Sequence, residues 1–308
     1  MSFAEKLVAW QRSAGRHDLP WQGTRDPYRV WLSEVMLQQT QVAAVIPYYE
    51  KFLARFPTVA ALAAASQEEV LQLWSGLGYY ARGRNLHAAA QQIAANGFPE
   101  DIATLPGVGR STAAAISVFA FGKRAAIMDG NAKRVLARVF GVAEPDWDLA
   151  ERELPKKDVA AYTQALMDLG ATICTRRPDC GRCPVKRSCV ARREDRVSEL
   201  PAPRVKKALP LRHATWMILK NKNHVLLERR PSPGIWGGLW CFPEGKETGR
   251  KLEPIEHGFT HFHLRIQPVL REVRTKPAAA PDQRWMDINE AVSAAVPTPV
   301  RRLLSSLR

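Results

Sequence analysis

The chain has 308 residues, with 45 lysines and arginines against 30 aspartates and glutamates, a formal net charge of +15. This length allows two domains, each with its own core, and this charge favours a polyanionic partner, with nucleic acid ahead of a membrane surface. No apolar run approaches the roughly 20 residues of a membrane span, and the charged N-terminal segment lacks the apolar core of a signal peptide. We therefore expect a cytoplasmic protein with no membrane partner.

Helices are predicted in succession over the first 171 residues. Asp26-Pro27 supplies an N-cap and a first-turn proline, and we expect one helix to continue through YRVWLSEVMLQQTQVAAVI. Glu34, Gln38 and Gln41 recur at i, i+4 and i+7, which would place them on one helical face. A carboxylate on such an apolar helix either reaches solvent or has a raised pKa. The alternative is a solvated face of an amphipathic helix.

A glycine-rich segment, Gly76-Leu77-Gly78-Tyr79-Tyr80-Ala81-Arg82, interrupts the helices. Tyrosines beside glycines and arginines suit stacking on bases together with phosphate contacts. Buried tyrosines at a turn between helices are an equally good interpretation of this segment.

The stretch from Leu105 to Lys133 contains two features that suit chemistry on a nucleic acid. Gly107, Val108 and Gly109 form a tight glycine hairpin ahead of a predicted helix, where backbone N–H groups and the helix dipole favour a phosphate. Asp129 then opens another predicted helix about twenty residues later. The pattern indicates that one feature holds the nucleic acid and the other does chemistry on it.

Four of the five cysteines lie within sixteen residues, in the spacing C-x5-C-x2-C-x5-C. Such clustering indicates a metal site in a reducing compartment. Structural zinc sites usually pair two C-x2-C units over a longer span, so a [4Fe–4S] cluster fits this compact loop better. Zinc and free thiols remain the alternatives. The candidate ligands are Cys174, Cys180, Cys183 and Cys189.

A basic, proline-rich linker is predicted over residues 196–211, and the pattern changes after it. Two β-rich segments, HATWMILK and NHVLLERR, flank Asn221-Lys222-Asn223 as a hairpin, and GIWGGLWCF and FTHFHLRIQPVLREV continue in strand style. INEAVSAAV and VRRLLSSL predict helices near the end. The second domain, residues 212–308, is therefore expected to be α+β.

The motifs LPGVGRSTAAAI and MDGNAKRVLAR, together with the cysteine loop, resemble the helix-hairpin-helix DNA glycosylases of the endonuclease III superfamily. WLSEVMLQQTQV and GLGYYARGRNLHAAA are similar to the MutY family of adenine DNA glycosylases within that superfamily. The resemblance covers nearly the whole chain. It implies an all-α catalytic region over residues 1–195 with an iron–sulfur loop at 174–189, and a Nudix-like (MutT-like) domain after the linker. In the family the first cysteine interval usually holds six residues, whereas here it holds five.

The resemblance also implies an activity in base excision repair: hydrolytic removal of adenine mispaired with 8-oxoguanine, or with guanine or cytosine, from duplex DNA. Glu34 would be the general acid that protonates adenine at N7, and an ionised Asp129 would face C1′ of the sugar. Ser111 stands where strand-cleaving relatives carry a lysine nucleophile. Because serine cannot form a Schiff base, we expect a monofunctional enzyme that leaves an abasic site.

Further roles follow from the same resemblance. Gln39 and Tyr79 would fill the space left by the flipped adenine, Ser111 and Asn131 would line the catalytic pocket, and Lys133 would contact the sugar or backbone. In the C-terminal domain the loop that senses 8-oxoguanine would contain Phe259, Thr260 and His261. The glutamate-rich helix of Nudix hydrolases is missing after Pro243-Glu244-Gly245, which favours recognition over pyrophosphate hydrolysis.

The expected partner is double-stranded DNA with A:8-oxoguanine or A:G mispairs, bound by a monomer. Three alternative functions fit this sequence less well. A bifunctional pyrimidine glycosylase/lyase is disfavoured by Ser111 and by the extra domain. A Nudix hydrolase is disfavoured by the missing glutamates. A non-catalytic DNA-binding or iron–sulfur sensor protein would not need both Glu34 and Asp129.

Overall fold

A computed structural model of the protein describes residues 1–203, 208–246 and 249–308. The backbone groups into two compact units that do not follow chain order. One unit comprises Met1–Leu53 and Ala89–Val205, and the other comprises Ala54–Ala88 and Lys206–Arg308. Residues 204–207 of the predicted linker lie outside the described residues.

In the described part of the first unit, every regular element is a helix. Its helices, two of which continue into the second unit, are α1 (Phe3–Ala14), α2 (Pro27–Leu37), α3 (Val42–Arg55), α6 (Tyr80–Asn96), α7 (Arg110–Phe121), α8 (Gly130–Phe140), α9 (Trp147–Glu153), α10 (Val159–Thr172) and α11 (Val190–Arg193), with a short 3₁₀ turn at Ile102–Thr104.

Local sequence explains where the main helices of this unit begin. Ser2 and Glu5 form a reciprocal capping box at α1, and Asp26 caps α2 ahead of Pro27. Asp129 caps α8 through a bond from the Ala132 amide, 2.7 Å long. These side chains satisfy amide groups that have no partner inside a helix.

The single long helix expected through residue 46 is wrong, because α2 ends at Leu37 and α3 begins at Val42. Gln39 adopts a left-handed backbone with φ of 56°, and the Gln38 amide leaves the helix to bond the Gly107 carbonyl and Thr112. This tertiary contact outweighs the helical period of the sequence. Gln38 and Gln41 therefore do not share one helical face with Glu34.

The core of the first unit is formed by α1, α8 and α10, whose apolar faces are almost fully buried. Gly170 allows α8 and α10 to approach closely, since a Cβ at this position would lie 2.6 Å from the Cβ of Asn131. This packing fixes the start of α8, where Asp129 lies.

The second unit combines a short helical segment with the β-rich C-terminal region. The helices are α4 (Val59–Ala64), α5 (Gln67–Trp74), the first part of α6, α12 (Ile288–Ser293) and α13 (Thr298–Ser306). The strands are β1 (Leu211–Asn221), β2 (His224–Arg229), β3 (Trp240–Cys241), β4 (Arg250–Lys251), β5 (Ile255–Gly258), β6 (His263–Glu272) and β7 (Gln283–Asp287).

These strands form one mixed sheet with the order β3-β2-β1-β6-β4. In addition, β7 pairs with β2, and β5 pairs with β6. The long β1 and β6 are parallel and all other pairs are antiparallel. The hairpin predicted around Lys222 is confirmed, as is the α+β class. GIWGGLWCF was expected to be strand-like, but only Trp240–Cys241 of it is a strand. Among the described helices, none is long and apolar enough to cross a membrane.

Candidate active site

Glu34 lies in the second half of α2, in a turn whose neighbouring side chains Ser33, Val35 and Met36 are buried. Burial of its carboxyl raises the pKa of Glu34 to about 8, and the charge of Asp129 nearby raises this pKa further. The expectation of a carboxyl with a raised pKa thus describes Glu34 better than a solvated helical face does. A carboxyl of this kind is protonated at neutral pH and can act as an acid.

Glu34 lines a cavity of about 430 Å³ inside the first unit. Apolar side chains, among them Val30 and Phe119, form one part of its wall. Its polar lining comes from residues that the sequence alone did not single out as functional: Gln11, His17, Gln22, Thr24, Arg25, Ser33 and Gln164. A cavity that combines apolar walls with convergent polar groups is the usual form of a small-molecule site.

Internal hydrogen bonds fix several of these polar side chains. The His17 Nε2 lies 2.8 Å from the Gln11 carbonyl, and the Gln164 Nε2 donates to Asp168 at 2.9 Å. Asp168 is fully buried and pairs with Arg16 at 2.6 Å. No motif in the sequence marks these residues. The only available signal was Gln164 and Asp168 standing four apart on the otherwise apolar helix α10.

Asp129 is brought close to Glu34 although 95 positions separate them in the chain. Burial raises the pKa of Asp129 despite lowering contributions from the amides of Ala132 and Asn131 and from the charge of Arg134. Burial thus outweighs the amides at the helix N-terminus, which favour the ionised carboxyl. Glu34 and Asp129 therefore form a pair of neighbouring carboxyls whose pKa values are both raised by burial.

Ser111 connects the start of α7 to the segment that carries Asp129. Its Oγ accepts a hydrogen bond of 2.9 Å from the Met128 amide. Neither Ser111, Asn131 nor Asp129 is among the residues that line the cavity of Glu34. The predicted pocket residues thus lie outside the lining of that cavity, at the starts of α7 and α8.

The glycine hairpin precedes α7 as predicted. Gly107 has φ of 77°, a conformation that favours glycine, while Val108 is buried and its amide donates to the Leu105 carbonyl at 3.1 Å. Gly109 caps α7 without any side-chain hydrogen bond. No capping side chain therefore accepts hydrogen bonds from the first amides of the twelve-residue helix α7.

Arg134 joins the start of α8 to the cysteine loop. It donates to the Asn131 Oδ1 at 2.7 Å, to the Gly170 carbonyl at 2.6 Å and to the Cys174 carbonyl at 2.7 Å. Asn131 is therefore engaged within the protein. Lys133 is half-buried, and its backbone amide donates to the Asp129 carbonyl at 2.8 Å in the first turn of α8.

The four cysteines of the loop line one small cavity together with Val135, Leu169 and Arg138. Burial raises the pKa of Cys183 to about 11, and the other three thiols raise it further. Arg138 is buried and donates to the Thr175 carbonyl at 2.6 Å. The Asp179 amide closes the short first interval by donating to the Ile173 carbonyl at 3.0 Å. Within the described residues, no three His, Cys, Asp or Glu side chains are arranged to hold a single metal ion.

Comparisons with known proteins decide the family. Residues 32–157 match the HhH-GPD superfamily of base excision DNA repair proteins, and residues 214–306 match the NUDIX domain. The adenine DNA glycosylase of Buchnera aphidicola subsp. Acyrthosiphon pisum is 33% identical, over 99% of this chain and 97% of the relative. The adenine DNA glycosylase of Homo sapiens is 32% identical, over 98% of this chain and 73% of the relative.

The chain belongs to the adenine DNA glycosylase family.

Solved structures agree on the fold of the helical domain. A thermostable thymine-DNA glycosylase is 29% identical with a TM-score of 0.58, over 62% of this chain and 95% of its own. An endonuclease III–DNA complex shares the fold at 21% identity and a TM-score of 0.54, over 62% of this chain and 94% of its own. The expected fold class, a helix-hairpin-helix glycosylase domain followed by a Nudix-like domain, is confirmed.

Strained backbones occur at the two residues that the family resemblance expects to fill the space left by a flipped adenine. Gln39 has φ of 56° and is exposed, and Tyr79 has φ of 50° and is 47% exposed. Non-glycine residues in this region cost about 1–3 kcal/mol and concentrate at functional sites. In this member of the adenine DNA glycosylase family, both side chains are thus exposed on residues with unusual backbone conformations.

The proposed lesion-sensing residues lie at the turn between β5 and β6. The Phe259 amide donates to the Phe262 carbonyl at 2.8 Å, which leaves Thr260 and His261 at the exposed tip. The rings of Phe259 and Phe262 stack with centroids 4.5 Å apart, and Trp236 packs 5.3 Å from Phe259. The packed rings of Phe259, Phe262 and Trp236 therefore support the turn, whose tip is polar.

Proposed function

We propose that this adenine DNA glycosylase removes adenine opposite 8-oxoguanine or guanine in duplex DNA and leaves an abasic site. The observation that carries the proposal is the protonated Glu34, with its pKa near 8, on the wall of a 430 Å³ cavity and close to Asp129. Hydrolysis of an N-glycosidic bond needs an acid for the leaving base and a negative charge for the sugar cation.

In the proposed reaction, Glu34 gives its proton to adenine N7, and the C1′–N9 bond breaks with both electrons going to the base. The cation at C1′ is stabilised by the carboxylate of Asp129, either electrostatically or through a transient covalent bond. Water then adds to C1′ and its proton returns to Glu34. Atoms and charge balance, and the acid is regenerated for the next cycle.

The cavity of Glu34 suits an extruded base. A base inside a duplex must leave the stack before its glycosidic bond can be reached, at a cost of a few kcal/mol. Because the Gln164 amide nitrogen is engaged by Asp168, its carbonyl oxygen is the atom available to an exocyclic amino group such as N6 of adenine. Gln39 and Tyr79 would fill the gap in the stack.

Ser111 supports a monofunctional reaction. Its hydroxyl accepts a bond from the Met128 amide, and a hydroxyl at this position cannot form the Schiff base that β-elimination requires. The enzyme would therefore stop at base removal.

The hairpin of Gly107, Val108 and Gly109 is proposed to hold a DNA phosphate. The N-terminus of α7 carries amides without a capping side chain, and such a terminus attracts anions. Lys133, near the start of α8, would add a charge close to the sugar.

The cysteine loop fits a [4Fe–4S] cluster. Four thiols line one cavity, and four thiolates in one compact loop suit a cluster better than a single zinc ion. Cys174, Cys180, Cys183 and Cys189 would hold it. The cluster would supply a rigid anchor for this basic loop, and Arg134 and Arg138 tie the loop to α8 through the Cys174 and Thr175 carbonyls.

Recognition of 8-oxoguanine is assigned to Phe259, Thr260 and His261 at the β5–β6 turn. The Thr260 hydroxyl and the His261 ring are exposed there, and both can exchange hydrogen bonds with an oxidised purine. We propose that residues 1–195 carry catalysis and residues 212–308 carry recognition, with 196–211 as the linker, although residues 54–88 group in space with the C-terminal region. We further propose a cytoplasmic monomer.

Incubation with three duplexes tests the function. The protein should release adenine from A:8-oxoguanine and A:G duplexes and leave a thymine-glycol duplex intact. The DNA strand should break only after alkali treatment. Release of thymine glycol, or strand cleavage without alkali, would contradict the proposal. Iron content and visible absorbance of the purified protein decide between the iron–sulfur cluster and zinc.

A further inference from the structure

The loop that carries Tyr79 is short, and it places Tyr79 itself in a strained backbone conformation. It connects α5 to α6 within the second unit, and Gly76, Gly78 and Tyr79 all have positive φ, at 104°, 79° and 50°. The Trp74 Nε1 donates to the Gly78 carbonyl at 2.9 Å, and the Arg82 guanidinium lies 5.2 Å from the Tyr79 ring centroid. The orientation of Tyr79 therefore depends on where α5 and α6 are held.

Both flanks of this loop are bonded to the β-rich C-terminal region of the same unit. Before the loop, the buried Ser75 donates to the Val296 carbonyl and accepts a 2.9 Å bond from Arg301. After the loop, Arg84 donates to the Gly237 carbonyl at 2.8 Å. The C-terminal region thus holds the loop at its two ends.

The bond from Arg84 reaches a residue next to Trp236, which packs against the lesion-sensing turn. Gly237 follows Trp236, which is buried and also has a left-handed backbone, with φ of 54°. The Trp236 ring packs 5.4 Å from His257 and 5.3 Å from Phe259, centroid to centroid. A continuous series of contacts thus runs from Phe259 through Trp236 and Gly237 to Arg84, five residues from Tyr79.

We propose that Arg84 and Trp236 are positioning residues that couple recognition of the oxidised base to extrusion of the adenine. This rests on the proposed function, because it takes Phe259 as part of the sensor and Tyr79 as the side chain that enters the stack. A base bound at the β5–β6 turn shifts Phe259 against Trp236, and the Gly237 carbonyl passes this constraint to α6. The C-terminal domain then acts on extrusion as well as on lesion binding.

The test isolates extrusion from chemistry. In a Glu34→Gln background, 2-aminopurine beside the target adenine reports unstacking by fluorescence in a stopped-flow experiment. Without further changes, extrusion should be faster opposite 8-oxoguanine than opposite guanine. Adding Arg84→Met should reduce this ratio about fivefold or more, the range of typical coupling between sites, while extrusion opposite guanine changes little.

A matched control is Gln72→Ala, which removes a 2.8 Å bond from α5 to the Ser293 carbonyl in the same C-terminal region. It should leave the ratio unchanged, and Arg84→Lys should restore part of it. Trp236→Leu should lower the ratio as Arg84→Met does, and the double variant should be no worse than either single variant. Thermal unfolding identifies any variant that has lost its fold, and if Arg84→Met has done so, Arg84→Gln replaces it in the comparison.

Equal loss on both duplexes after Arg84→Met, or an unchanged ratio, would overturn the coupling. No fluorescence change on either duplex in the Glu34→Gln background would instead contradict the proposed function itself. In the DNA-free protein, Arg84→Met should also speed hydrogen exchange of the amides at 76–80, and Gln72→Ala should not. Unchanged exchange would show that the loop is not held through Arg84.

Discussion

The pKa of Glu34 links the stability of the protein to pH. In the unfolded chain this carboxyl titrates near its ordinary value of 4.5, whereas in the folded protein the pKa is about 8. Between these values the folded state keeps a proton that the unfolded state has lost, so stability falls as pH rises, by at most about 1.4 kcal/mol per pH unit.

Glu34→Gln should therefore stabilise the protein increasingly from pH 5 to about pH 8, and by a constant amount above that. Glutamine resembles the protonated carboxyl and has no proton to lose. Urea unfolding at a series of pH values measures this difference. Glu50→Gln, at an exposed position on α3, is the control and should track the wild type. A Glu34→Gln curve parallel to the wild-type curve would show that Glu34 is ionised in the folded state.

The same two carboxyls predict the pH dependence of excision. Glu34 must be protonated, so single-turnover excision should fall about tenfold per pH unit above about pH 8. Asp129 must be ionised, and because burial raises its pKa, an acidic limb should appear above the usual range of an aspartate. The two apparent values belong to the coupled pair. A rate that stays constant from pH 7 to pH 10 would exclude Glu34 as the acid.

At the scale of elements, the hairpin and α7 form the proposed phosphate site. Gly107→Ala and Gly122→Ala place alanine at comparable backbone angles, since φ is 77° and 64° at the two ends of this segment. Each should destabilise the protein by about 1–2 kcal/mol. Gly107→Ala alone should also weaken binding to undamaged duplex DNA, as measured by fluorescence anisotropy, because only Gly107 adjoins the exposed amides. Equal affinities for the two variants would remove the hairpin from the DNA interface.

Most helices and the hairpin around Lys222 could be predicted from sequence because caps, glycines and periodicity act locally. The break at Gln38–Gln41 could not be predicted, since it depends on a contact between Gln38 and Gly107, 69 positions later. The same limit applies to the cavity of Glu34. Gln164 and His17 become pocket residues only when α1, α2 and α10 are brought together in three dimensions.

At the scale of the whole molecule, the chain order of domains differs from the grouping in space. Residues 54–88 lie in the middle of the helical sequence, yet they pack into the same compact unit as the C-terminal sheet. Sequence motifs could not reveal this, because Ser75 and Arg84 reach main-chain carbonyls that any residue could provide. The unit that contains the β5–β6 turn therefore also contains Tyr79.

The central claim is that Glu34 supplies the proton that releases the base. Its direct test is single-turnover excision of adenine from an A:8-oxoguanine duplex by the wild type and Glu34→Gln, with binding of the same duplex measured in parallel. The account predicts unchanged affinity and a rate lower by a factor on the order of 100 or more, the usual contribution of general acid catalysis. Excision by Glu34→Gln at the wild-type rate would contradict it.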